Sequence, residues 1–137
     1  MRESRELRAL YIRLCEAYAS GDAGFIERLF SRQEGTLNIG TDPNEWWAGS
    51  DRILQAWKAQ FEALGGRIPL VAGDPLAYQE GTVGWVADRP RLRLPDGDLP
   101  FRLTCVFHQE DGEWKLVQTH ASVGVSNEAA VGSELPT

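Results

Sequence analysis

At 137 residues, 42% apolar and with five tryptophans, the chain is long enough to bury one hydrophobic core without disulfide or metal staples. Its net charge of −6 comes with 14 Lys and Arg scattered along the chain rather than gathered on one stripe, which argues against nucleic acid and anionic membrane as partners. No run approaches the ~18 apolar residues of a membrane helix, and the opening MRESRELRAL lacks the apolar segment of a signal peptide, so a cytoplasmic domain that binds a small neutral or apolar ligand is expected.

From Ser4 to Ala19 the residues Leu7, Leu10, Tyr11, Leu14, Ala17 and Tyr18 recur at helical spacing, with Arg5, Arg8, Arg13 and Glu16 opposite. This is an amphipathic helix with one buried stripe, ended by Ser20-Gly21. Asp22 can cap a shorter helix carrying Phe25, Ile26, Leu29 and Phe30. Thr36 to Ile39 reads as a short strand, followed by the turn Gly40-Thr41-Asp42-Pro43 and the aromatic pair Trp46-Trp47. Ser50 or Asp51 should cap a third helix that presents Ile53, Trp57, Phe61 and Leu64 on one face and stops at Gly65-Gly66.

The second half changes period. Glu80-Gly81, Asp96-Gly97 and Asp111-Gly112 separate four runs rich in β-branched and aromatic residues, at about 67 to 79, 82 to 93, 99 to 109 and 113 to 124. Pro69 and Pro75 cannot donate to a ladder, so the first run should be an edge strand or a bulged one. Helices followed by a hairpin-connected meander predict an α+β cone with an internal cavity. Residues 1–125 form one domain in this reading, and 126–137, small and polar without periodicity, a flexible tail.

The last hairpin sorts side chains by face. If Glu110-Asp111-Gly112 is a three-residue loop with Gly112 in the bulge position, Gln109 opposes Glu113. One face then carries Phe101, Leu103, Cys105 and Phe107 with Val117, Thr119, Ala121 and Val123. The other carries Arg102, Thr104, Val106 and His108 with Trp114, Leu116, Gln118, His120 and Ser122. A plain two-residue turn would slip the register by one and set Arg102 and Thr104 beside Val117 and Ala121. The bulged loop keeps charge off the apolar set, and that set should face the helices.

His120, whose imidazole is an acid/base group, stands in the polar set with Arg102, Gln118 and Ser122, a group able to satisfy itself at a subunit interface or, alternatively, to orient His120 as an acid/base. Asp42, beside two tryptophans, is the other candidate base, with a turn-forming role as its competitor. Tyr18, Trp47, Tyr78 and Trp85 are candidates to line an apolar pocket or to be ordinary core. Cys15 and Cys105, without CxxC spacing, read as buried free thiols. His108 and His120 have no acidic cluster at ligand spacing, and no glycine set has phosphate-loop spacing, so neither a metal nor a cofactor is expected.

Three segments, IGTDPNEWWAGSDRILQAW, GDPLAYQEGTVGWVAD and FRLTCVFHQEDGEWKLVQTHASV, resemble the SnoaL-like branch of the nuclear transport factor 2 superfamily in order over residues 5 to 125. The terminal pattern carrying the resemblance is Arg102, Thr104, Asp111, Gly112, Trp114, His120 and Ser122. The resemblance implies a strongly bent, mixed, mostly antiparallel sheet, three N-terminal helices packed on it, a central pocket, and a homodimer formed through the sheet. Calcium/calmodulin-dependent kinase II association domains of this superfamily line the pocket with arginines at positions that align with Ala87, Cys105 and Ala121, so a carboxylate-binding pocket of that design is absent here. With Phe107 and Thr119 these residues complete a mainly apolar predicted lining. Two functions follow: a small-molecule-binding protein or cofactor-independent isomerase or dehydratase, or a non-catalytic dimeric binding or regulatory module.

Overall fold

The computed structural model describes residues 1–137 as four helices and ten strands. Helix α1 (Arg5–Ser20) is capped by Ser4, whose hydroxyl accepts from the Leu7 amide at 3.3 Å, and it buries Leu7, Tyr11, Leu14, Cys15 and Ala17. Gly21 ends it in the left-handed region at φ 79, and a Cβ there would lie 2.7 Å from the Gly66 carbonyl oxygen. Helix α2 (Ala23–Leu29) starts from Asp22, which accepts from the Phe25 amide at 3.1 Å. Helix α3 (Ser50–Ala63) buries Ile53, Leu54, Ala56, Trp57 and Phe61. Its N-cap is Gly49 rather than Ser50 or Asp51, because the chain turns into the helix at φ 87, where a side chain would be strained. No helix is long and apolar enough to cross a membrane.

The strands are β1 (Arg2–Glu3), β2 (Leu37–Ile39), β3 (Trp46–Ala48), β4 (Leu70–Val71), β5 (Leu76–Glu80), β6 (Val83–Asp88), β7 (Arg91–Leu94), β8 (Gly97–Pro100), β9 (Arg102–Glu110) and β10 (Glu113–Ser122). Seven form a sheet in the order β1-β5-β6-β9-β10-β2-β3, antiparallel except for the parallel β10–β2 pair. The order β4-β7-β8 makes a second, three-stranded sheet. Three expected long strands are each broken in two: 67 to 79 into β4 and β5, 82 to 93 into β6 and β7, and 99 to 109 at Phe101 between β8 of the small sheet and β9 of the large one. Pro75 separates β4 from β5 and Pro90 separates β6 from β7, each fully buried at a corner where a ladder donor is missing.

Asp88 ties these corners together. Its carboxylate accepts from the Gly73 amide at 2.8 Å and from the Arg89 amide at 2.8 Å. Gly73 must be glycine for this approach, since a Cβ would lie 2.7 Å from the Asp88 Oδ1 and 2.7 Å from the Arg89 carbonyl oxygen.

The β9–β10 hairpin corrects the expected register. Asp111 and Gly112 form a two-residue turn with φ 51 and φ 81, and Glu110 rather than Gln109 opposes Glu113. An irregularity at Val117, between the pairs Leu116–Phe107 and Gln118–Val106, then shifts the register once more. Before it, Trp114 and Leu116 face the helices, 6% and 0% exposed, instead of lying on the outer face. Beyond it, Cys105–Thr119 and Leu103–Ala121 pair on the inner face, and Thr104–His120 and Arg102–Ser122 on the outer.

On β6 the inward positions are Gly84, Val86 and Asp88, all buried. Gly84 lets α1 reach the sheet backbone: a Cβ there would lie 2.2 Å from a Leu7 methyl carbon. The short helix α4 (Asn127–Val131), capped by Ser126, lies at the surface beyond β10.

Candidate ligand cavity

The concave face of the large sheet, α1, α3 and the small sheet enclose a cavity of about 510 Å3. Helix α1 contributes Leu14 and Tyr18, helix α3 contributes Trp57, Gln60 and Ala63, and the small sheet contributes Leu70, Leu92 and Leu99. Leu103 and Cys105 of β9, Thr119 and Ala121 of β10, Asn38 and Ile39 of β2, and Trp47 of β3 also line it, with Gly40, Thr41 and Glu45 at the β2–β3 turn. Of 22 lining residues 16 are hydrophobic, so apolar contact dominates what the cavity can offer.

Aromatic packing fixes the helical wall. Tyr18 meets Trp57 edge-on at 6.2 Å between centroids, and Trp57 lies 5.0 Å from Phe61. Burial pushes the Tyr18 phenol and the Cys105 thiol well above their ordinary values, with Cys15 and Asp88 adding to the effect on Cys105. Both side chains therefore stay protonated at neutral pH. On the floor, the Thr119 hydroxyl donates to the Asn38 side-chain oxygen across the parallel β10–β2 pair.

The rim is built by the β2–β3 turn. The Gly40 amide donates to the Glu45 carbonyl at 2.8 Å, closing the loop. The Glu45 carboxylate accepts from the Gln60 side-chain amide at 2.7 Å on one oxygen and from the Asp42 backbone amide at 3.3 Å on the other. It lies directly over Gly40, where a Cβ would be 1.7 Å from its Oε2. Asp42 accepts from the Asn44 amide at 2.8 Å, the local bond of a turn-forming residue.

Tyr18, Trp47, Cys105, Thr119 and Ala121 thus stand at the cavity wall. Phe107, on the inner face, is fully buried in the core cluster and is not among the lining residues. Tyr78, Trp85 and Ala87 lie on the opposite face of the sheet. Tyr78 and Trp85 are paired across β5 and β6 and stacked at 5.2 Å, and Ala87 pairs with Thr104. The strand parity of β6 decides this, with Val86 taking the inward place opposite Cys105.

Asp42 and His120 line a separate recess of about 350 Å3, which shares Ile39, Gly40, Thr41, Glu45, Ala121 and Val123 with the main cavity. His120 is exposed on the outer side of that shared wall, as are Arg102 and Thr104. Arg102 donates to the Ser122 hydroxyl at 3.2 Å, and Gln118 lies on the same face beside Leu37. Asn38, Glu45 and Gln60 are the polar wall residues that the sequence did not single out.

A helical layer closed over a curved sheet, with a cavity between them, defines the cone-shaped α+β fold of nuclear transport factor 2-like proteins. The chain belongs to the SnoaL-like domain family, whose model matches residues 7–126. It is similar to an NTF2-like protein of unknown function from Pseudomonas putida, at 16% identity and TM-score 0.81 over 93% of this chain and 94% of that one. An uncharacterised Caulobacter vibrioides protein with a cystatin-like fold matches at 16% identity and TM-score 0.74, over 90% of this chain and 91% of that one. A Parabacteroides distasonis structure provisionally described as a ketosteroid isomerase is 17% identical, with TM-score 0.69 over 89% and 94% of the two chains. At these identities the likeness is one of fold. No curated protein matches the chain.

Proposed function

We propose that this chain is a binding protein for a small molecule with an apolar body, enclosed between α1, α3 and the concave sheet. The observation that carries the reading is a cavity of about 510 Å3 with 16 hydrophobic residues among its 22 lining residues. Each Å2 of apolar surface a ligand loses to this wall contributes about 25 cal/mol. With Tyr18 and Cys105 held protonated by burial, Glu45 is the one carboxylate in the wall, so an isomerase or dehydratase reaction here would have to use it.

The chain works as a homodimer in this reading, joined through the outer sheet face. That face carries the stacked Tyr78–Trp85 pair together with Leu76 and Val83, which are 59% and 47% exposed. Trp114 and Leu116 have no part in it, being turned inward.

Thermal unfolding with and without a neutral apolar compound such as n-octanol tests the cavity. Mass action gives about 2.7 kcal/mol of stabilisation when the free ligand reaches 100 times its dissociation constant. Ala121→Trp, which fills the cavity mouth, should remove the stabilisation. An equal rise in both proteins would refute binding in the cavity.

A further inference from the structure

We infer that the molecule held in the cavity carries a protonated amine at one end, met by Glu45 at the rim. The inference rests on the binding reading above and adds the chemistry of the ligand's polar end.

The main cavity and the adjoining recess share six wall residues, and Glu45 is one of them. Across both sets of lining residues there are two carboxylates, Glu45 and Asp42, one histidine, His120, on the outer side of the recess, and no Lys or Arg. An anionic head would therefore enter a rim of its own sign with no lysine or arginine in the wall to meet it, whereas an ammonium finds charge of opposite sign. Glu45 is also held in place. One carboxylate oxygen accepts from Gln60 at 2.7 Å and the other from the Asp42 amide at 3.3 Å, which leaves lone pairs on both for a ligand donor.

Gly40 makes this seat possible, because any Cβ there would lie 1.7 Å from the Glu45 Oε2. The exposed Trp46 ring lines the recess beside the two carboxylates and offers an ammonium a π face. The apolar wall behind the rim then takes the hydrocarbon body. A hydrocarbon chain ending in an ammonium satisfies both parts of the site at once.

Calorimetric titration of n-octylamine, n-octanol and n-octanoate at about pH 7 tests the assignment on the intact chain. The amine should bind about tenfold more tightly than the alcohol, as expected for one charge-assisted hydrogen bond at a partly exposed site, and octanoate more weakly than either. The amine's advantage should shrink with added salt. In Glu45→Gln the ratio of amine to alcohol affinity should fall to about one. Gly40→Ala should lower the same ratio by displacing the carboxylate, although it leaves the net charge of the chain untouched. That result separates a positioned group from the general attraction of an acidic protein. An amine bound no better than octanol by the unmodified chain overturns the assignment, as does a preference that survives in Glu45→Gln. If octanol binds and the amine shows no advantage, the head-group assignment alone falls; if none of the three binds, the cavity reading falls with it.

Discussion

Asp88 shows how one buried carboxylate can govern the shape of the cone. It receives the Gly73 and Arg89 amides at two bends that let the small sheet fold over the cavity. Asp88→Ala removes the acceptor of both part-buried bonds, and a hydrogen bond to a charged group contributes about 1.5–3 kcal/mol, so urea denaturation should show a loss of about 2 kcal/mol or more. An unchanged midpoint would mean that the corners are held by their prolines alone.

The thiols give a second test at this scale. Burial pushes Cys15 up to about 12 from an ordinary 9.0 and pushes Cys105 up as well, so the folded state holds these protons where the unfolded chain has released them. Stability contributed by the neutral thiols is fully present below about pH 9 and falls as pH rises from there toward 12, since the native state binds more protons in that window. Tyr11 and Tyr18, also raised by burial, add to the fall above pH 10. Denaturation midpoints measured against pH should show this decline, with a smaller slope in Cys15→Ala. A thiol reagent at about pH 8 should find neither cysteine in the folded chain and both after unfolding.

At the scale of elements, α1, α2 and α3 were legible from their apolar stripes, the Asp22 cap and the glycines after α1 and α3, whereas α4, inside the segment expected to be a flexible tail, was not. The strands were legible as hydrophobic runs but not as faces. Side-chain period 2 means that one unforeseen residue reverses a strand, and the last hairpin has two such events, the tight Asp111-Gly112 turn and the irregularity at Val117. They offset one another beyond Val117. The inner positions of Cys105, Thr119 and Ala121 were therefore readable, while Trp114 and Leu116 near the turn were placed on the wrong side.

The tyrosine and tryptophan of the β5–β6 hairpin show the same limit. Their composition suits a pocket or an outer face equally, and only the pairing of Trp85 with Val106 decides. Glu45 was illegible for another reason: its place depends on a tight approach to Gly40 and on Gln60 of α3, contacts that the order of residues does not reveal. The turn itself can be tested. Gly112→Val forces a β-branched residue to φ 81 and should cost about 1–2 kcal/mol, measured by urea denaturation, with the opposite sign at this site contradicting the tight-turn geometry.

At the scale of the whole molecule, the two faces of one sheet take separate roles. The concave face belongs to the cavity and the convex face to the proposed dimer, so the two should be separable by mutation. Light scattering should give about twice the 15.2 kDa chain mass for the unmodified protein, and Trp85→Asp should reduce it to that of one chain while cavity binding persists.

The most direct test of the cavity uses the five indole N–H signals in a nitrogen–proton correlation spectrum, each assigned by substitution of its tryptophan. Trp47 and Trp57 line the cavity, Trp46 and Trp85 lie on the outer face, and Trp114 is buried opposite Gln109 near the last turn. Titration with n-octanol should move the Trp47 and Trp57 signals together to saturation and leave Trp85 in place. Saturable shifts confined to Trp46 and Trp85, with Trp47 and Trp57 unmoved, would put the ligand on the outside of the sheet and contradict the account.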